Sequence, residues 1–188
     1  MKKLLLLLTA SLLPAAALAD KIELATGQTV RVAVPDTWQA GELPAPPPGV
    51  PRLGRNYRYV TRSGSNDSVM LTLVPVPDDR LADPEILRHM VMEASQQFVA
   101  GSVEGKVDLK DLKTGRAAGF MVTFTDANLV GKPSVKDDYK LMTSCFLYLG
   151  DRVLVSATIF SDDANGPAYA EALRLLKSIA FVTPGDAI

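Results

Sequence analysis

From residue 22 onward, apolar and polar positions alternate in short runs, and that period of two predicts strands arranged in pairs. Positions 22–24 and 30–34 alternate on either side of Thr26-Gly27 and read as an opening hairpin, stopped where Pro35 removes a ladder donor. Positions 57–62 and 69–76 make a second pair across the polar stretch 63–67, closed by Pro75 and Pro77. Positions 107–113 and 117–125 flank Thr114-Gly115, and 139–149 and 152–160 flank Gly150-Asp151, which gives two further hairpins by turn chemistry. In the last strand Val153, Val155, Ala157 and Ile159 point one way, while Leu154 and Phe160 point the other. A strand apolar on both sides belongs to a sheet covered on both sides.

Two stretches change to a helical period. Asp83-Pro84-Glu85 offers a capping carboxylate, a proline at the first helical position and an acid in the first turn. The apolar stripe that follows is Leu87, Met90, Val91, Ala94 and Phe98, ended by Gly101. The second helix spans 167–178, with Tyr169, Ala172, Leu173 and Leu176 inward, Arg174 and Lys177 outward, and Asn165 as its cap. A short closing strand falls at 179–182. The predicted class is α+β: an antiparallel sheet built from consecutive hairpins with helices covering both faces, an α/β/α sandwich. Residues 20–188 form one domain. Prolines 44, 46, 47, 48 and 51 make 42–51 an extended loop within it, read as a spacer.

The first nineteen residues follow another rule. Lys2 and Lys3 precede an apolar run from Leu4 to Leu13, Pro14 breaks it, and Ala17 and Ala19 supply the small side chains of an A-x-A cleavage site. Residues 1–19 therefore read as a bacterial signal peptide cleaved after Ala19. The run is shorter than the roughly 20 apolar residues a membrane span needs, and Asp20 stands where a lipoprotein carries cysteine. A periplasmic or secreted protein without a transmembrane segment after cleavage is expected.

Composition narrows the partners. Loss of Lys2 and Lys3 takes Lys+Arg from 20 to 18 against 21 Asp+Glu, a net charge of about −3. The basic residues are scattered, with no clustered footprint for nucleic acid. Cys145 is the single cysteine, so no intramolecular disulfide forms and the core must hold the fold.

The order of elements, with Val32-Ala33-Val34-Pro35-Asp36-Thr37-Trp38 near the start and 173–181 at the end, resembles the PsbP-like α/β/α sandwich, a fold shared by small bacterial envelope proteins such as DcrB. The resemblance covers nearly all of 20–188 and implies an antiparallel sheet flanked by helices. That family has no shared catalytic residues, so it implies no site residue by residue.

His89, the one histidine, lies about 200° around the helix from Leu87, on the solvent side. Cys145 shares its strand face with Leu141, Thr143, Leu147 and Leu149, and reads as a small buried side chain rather than a thiol nucleophile. Asp78-Asp79, Asp137-Asp138 and Asp162-Asp163 are loop acids. The segment Asp162-Asp163-Ala164-Asn165-Gly166 offers oxygen ligands for a hard cation but departs from the calcium-loop pattern. Carboxylate-only chemistry by a pair such as Glu93 with a loop Asp needs no motif and stays open, and the sequon Asn66-Asp67-Ser68 carries little weight in a bacterial chain. No catalytic, cofactor-binding or metal residue is assigned, and no cofactor. The expected function is that of a non-catalytic envelope protein, not an enzyme, acting by binding an envelope protein as an assembly or accessory factor. The alternative is a small-ligand-binding module with a cleft lined by Trp38, Tyr57 and Tyr59.

Overall fold

The structure, a computed structural model, describes residues 18–24, 26–43, 54–114 and 117–182. Most of the expected signal peptide and of the proline-rich loop lies outside the described residues. Strands β1 (Leu18–Glu23) and β2 (Thr29–Val34) pair antiparallel with Ile22 opposite Val30. Their turn passes through Gly27 at φ +83°, a left-handed conformation that costs glycine least. At Pro35 the chain turns, with the Trp38 amide donating to the Pro35 carbonyl at 2.8 Å, and enters β3 (Trp38–Ala40) at the edge of a second sheet.

That larger sheet is antiparallel throughout. It is built from β3, β4 (Arg55–Thr61), β5 (Ser68–Pro75), β6 (Lys110–Thr114), β7 (Ala117–Thr125), β8 (Leu141–Gly150) and β9 (Val153–Ser161), in the order β3-β4-β5-β9-β8-β7-β6. The β8–β9 turn carries positive φ at both Asp151 (48°) and Arg152 (59°), the geometry that matches the twist of a tight hairpin. A final strand, β10 (Ala180–Phe181), returns to pair with β2, so the opening hairpin and the closing strand form a separate three-stranded sheet.

Helix α1 (Pro84–Ser95) begins as its sequence predicts, with the Asp83 carboxylate accepting from the Glu85 amide at 2.9 Å. Leu87, Val91 and Ser95 are its buried row. Beyond Ser95 the backbone tightens into a 3₁₀ turn, Gln96–Gly101, that carries Phe98 onward. Helix α2 (Pro167–Lys177) buries Tyr169, Ala172, Leu175 and Leu176, while Leu173 is only partly covered. Its N-cap position is Gly166, not Asn165; Asn165 is exposed and its amide donates to the Asp163 carboxylate at 2.8 Å.

The layers follow from the two faces of the large sheet. On one face Val69, Leu71, Leu73, Cys145, Val155, Ala157 and Ile159 meet α2 and the apolar side of the small sheet, Ile22, Val30, Val32 and Val34. On the other, α1 sets Leu87 and Val91 against Phe120, Tyr148 and Leu154. Each such side chain contributes about 1.5–3 kcal/mol on burial. Helix α1 packs on β7 and β8. Past the end of α1, Phe160 lies on that same face, and its cover is a loop residue, Tyr139, with ring centroids 4.8 Å apart. This uncovered end of an apolar face is where the molecule opens. No helix among the described residues is long and apolar enough to cross a membrane.

Candidate functional site: an aromatic groove beyond the first helix

Strand register builds the floor. Phe124 of β7 stands opposite Met142 of β8, and Met142 opposite Phe160 of β9, so the three side chains form one row across three strands. Phe98, delivered by the 3₁₀ turn after α1, walls one side at 5.8 Å from the Phe124 ring. Tyr139 closes the other, and the Arg58 guanidinium donates to its hydroxyl at 3.3 Å. The resulting groove has a volume of about 410 Å³.

The rim is made by loops fastened to one another through hydrogen bonds. Asn66, in the β4–β5 connection, donates through Nδ2 to the carbonyls of Val135 (2.9 Å) and Asp138 (3.1 Å), and accepts through Oδ1 from the Asp137 amide (2.9 Å). Asn66 thus sets the loop that presents Asp137 and Asp138 to the groove. A glycan on that nitrogen would displace these bonds, so the sequon serves the loop. On the opposite side the Asp126 amide donates to the Lys140 carbonyl, and the Lys140 amide donates to Asp162 at 3.2 Å. This arrangement holds Tyr139 and Lys140 out of β8, which starts at Leu141 instead of the predicted 139. Glu104 binds Thr125 at two points, its carboxylate accepting from the amide at 2.9 Å and the hydroxyl at 2.8 Å. Burial opposes ionisation of Glu104, but those two bonds outweigh it and hold the carboxyl below its ordinary value.

Asp126, Asp137 and Asp138 line the groove together with one cation, Lys140. The ion pairs among the described residues are Asp78 with Arg80, Glu93 with His89 and Glu171 with Arg174, so the three rim carboxylates have no cationic partner there. Exposed valines lie on the same loops: Val103, Val130 and Val135 are 57–59% exposed.

The residues singled out by sequence fall elsewhere, apart from Asp137 and Asp138. His89 is exposed on α1 and faces Glu93, itself exposed, at 3.6 Å. Cys145 is buried, and burial pushes its thiol up to about 12. Asp78 is tied to Arg80, whose backbone and side-chain hydrogen bonds hold its carboxyl low. Asp79 accepts from the Tyr148 hydroxyl and the Arg152 amide at the β8–β9 turn. Asp162 accepts from Asn66 and Lys140, and Asp163 from Asn165. No group of three or more His, Cys, Asp or Glu side chains able to hold a metal occurs among the described residues.

Trp38, Tyr57 and Tyr59, expected to line a cleft, pack into the core instead. Trp38 and Tyr59 are each 1% exposed in the core, and Tyr57 packs on the same core cluster. The Trp38 indole donates to Glu171 of α2 at 2.9 Å, fastening the sheet edge to the helix. Trp38 also borders a second depression, about 340 Å³, with Asp20, Pro35 and Arg62; Tyr57 and Tyr59 do not line it. Burial, and after it the nearby Asp20 carboxylate, raises the Tyr59 phenol above its ordinary value.

Against known proteins, the backbone is what matches. The solution structure of cyanobacterial PsbP (CyanoP) from Synechocystis superposes with a TM-score of 0.53 at 8% identity, over 90% of this chain and 95% of that one. The chain has a PsbP-like fold. The likeness extends to fold alone. The crystal structure of the Ran-binding protein Mog1p from Saccharomyces cerevisiae aligns at a TM-score of 0.42 and 15% identity over 87% of this chain and 95% of that one, and a Mog1 mutant at 0.44 and 16% over 85% and 92%. No family model matches the chain, and no curated protein matches it in sequence. In this PsbP-like sandwich, the groove sits where α1 stops short of the sheet's end. Phe124, Met142 and Phe160 are legible as one row only when the pairing of all three strands is known.

Proposed function

We propose that this chain is an exported, non-catalytic envelope protein that works by binding another protein through the groove beside Phe160, as an assembly or accessory factor. The observation that carries the reading is the apolar row Phe124–Met142–Phe160 at the floor of the groove, of which Met142 and Phe160 are only partly covered on a sheet face otherwise packed under α1. An open apolar row with a polar rim marks an interaction surface. Export is supported by the signal-like pattern of residues 1–19; on this reading the processed protein starts at Asp20 and works in the periplasm or outside the cell. A binding role is further supported by where the reactive side chains lie. The thiol is sealed in the core, and the imidazole stands on an exposed helix face away from the groove.

The test is purification from periplasmic extract under native conditions. The expected result is a processed chain beginning at Asp20, associated with a protein partner in fixed proportion, with the association lost in Tyr139→Ala, which removes the wall over Phe160. A monomer without partner, or a partner retained by Tyr139→Ala, contradicts it. The groove's volume also lies within the roughly 300–1,000 Å³ of small-molecule sites. A second reading is therefore a ligand-binding module, shown instead if native mass spectrometry of the freshly isolated protein finds a bound small mass.

A further inference from the structure

Resting on the groove as the binding site, we infer what occupies it: a segment of a partner protein that sets a lysine or arginine beside a large apolar side chain. The floor takes the apolar residue. Phe98, Phe124, Met142 and Phe160 offer rings and a thioether on which an aliphatic or aromatic side chain packs. The rim takes the cation. Asp126, Asp137 and Asp138 line the groove with one lysine, Lys140, while Lys132 and Lys136 of the same loop lie outside its lining, and none of the three acids belongs to an ion pair among the described residues. The Arg58 guanidinium, on the Tyr139 side, is engaged with the Tyr139 hydroxyl and the Glu42 carbonyl.

The same sheet face already shows how a cation is received. Arg88 of α1 lies over the Phe120 ring at 5.6 Å from its centroid, a cation–π contact within the molecule. Four residues further along β7, Phe124 is 4% exposed under Phe98, while its neighbours across the sheet, Met142 and Phe160, are only partly covered. An incoming basic side chain would lay its aliphatic stem along the partly covered Met142 and Phe160 and carry its charge to the rim acids. A partner chain fits better than a free cation because the groove floor is apolar and the nearby loops carry further exposed apolar side chains, Val103, Val130 and Val135. Asn66 is a positioning residue in this scheme: it touches the loop, not the ligand.

The probe is a random heptapeptide library selected against the processed protein, with selected peptides resynthesised and titrated by fluorescence. The expected binders carry Lys or Arg within two positions of Leu, Met or Phe. Their affinity is expected to fall about tenfold in the Asp137→Asn/Asp138→Asn double variant, to weaken as salt rises, and to fall in Tyr139→Ala. Asn66→Ala should weaken binding while leaving the peptide preference unchanged. The rim acids are exposed, so the double variant should melt like the wild type. Peptides that lose binding in Tyr139→Ala yet lack a basic residue, or ignore the double variant, overturn the cationic occupant and leave the groove reading standing. Peptides indifferent to Tyr139→Ala as well overturn both. Argininamide binding as tightly as the peptides overturns the protein segment as occupant.

Discussion

Cys145 sits at the middle of β8 with Met121 opposite it on one side and Ala157 on the other, all turned toward α2. With the thiol pushed up to about 12 by burial, thiolate is scarce at neutral pH, and the sulfur is reached only after opening of the core. A thiol reagent should label the native protein orders of magnitude more slowly than the unfolded chain; equal rates would show that β8 is not buried. Cys145→Ser should cost about 1–3 kcal/mol, since the hydroxyl enters an apolar site. Glu104 gives a residue-scale test at the groove. Its folded carboxyl lies below the ordinary value, so the stability it contributes is present above that value and disappears as pH falls through the folded one. Glu104→Gln should therefore be less stable than the wild type at neutral pH and should show a smaller loss between neutral and acid pH, measured by denaturant midpoint. An identical pH dependence in both proteins would remove Glu104 as the anchor of Thr125.

At the scale of elements, the hairpins, both helices and the cap Asp83 were legible because each is written locally: alternation, Gly27 and Gly150-Asp151 at turns, and Asp83-Pro84 before a stripe of period 3.6. What was not legible depends on partners distant in sequence. Nothing near Val30 or Phe181 says that the opening and closing strands pair with each other. Asn165 has a cap's chemistry, but the chain turns one residue later, at Gly166. Trp38 and Tyr59 read as the lining of a cleft until α2 and the small sheet are packed against them. Gly119 is likewise silent in sequence. In β7 it lies opposite Leu147, and an added Cβ would stand 2.2 Å from the Phe146 carbonyl oxygen. Gly119→Ala should force the β7–β8 pair apart and cost about 1–3 kcal/mol, read from thermal or denaturant unfolding. Strand β1 bears on export. Ala19 and Asp20 lie opposite Ala33 and Val32, so the proposed cleavage bond is part of a paired strand once the chain folds. Processing should precede folding: an unfolded precursor should be cut rapidly by signal peptidase and a prefolded one slowly.

For the whole molecule, three layers leave one end of one sheet face uncovered, and the loops there are organised by Asn66, Asp162 and Glu104. The fold class could be read from the sequence. The groove could not, because its floor is a row across β7, β8 and β9 and its rim joins loops more than 60 residues apart. The claim that this groove is the working surface is tested most directly in living cells. A photoreactive amino acid placed at position 138, on the rim, or at position 113, on the exposed edge of β6, is irradiated and the adducts are resolved by mass. The account predicts one discrete protein adduct from position 138, reduced by Tyr139→Ala, and none of that mass from position 113. No adduct at 138, or the same adduct from both positions, would contradict it.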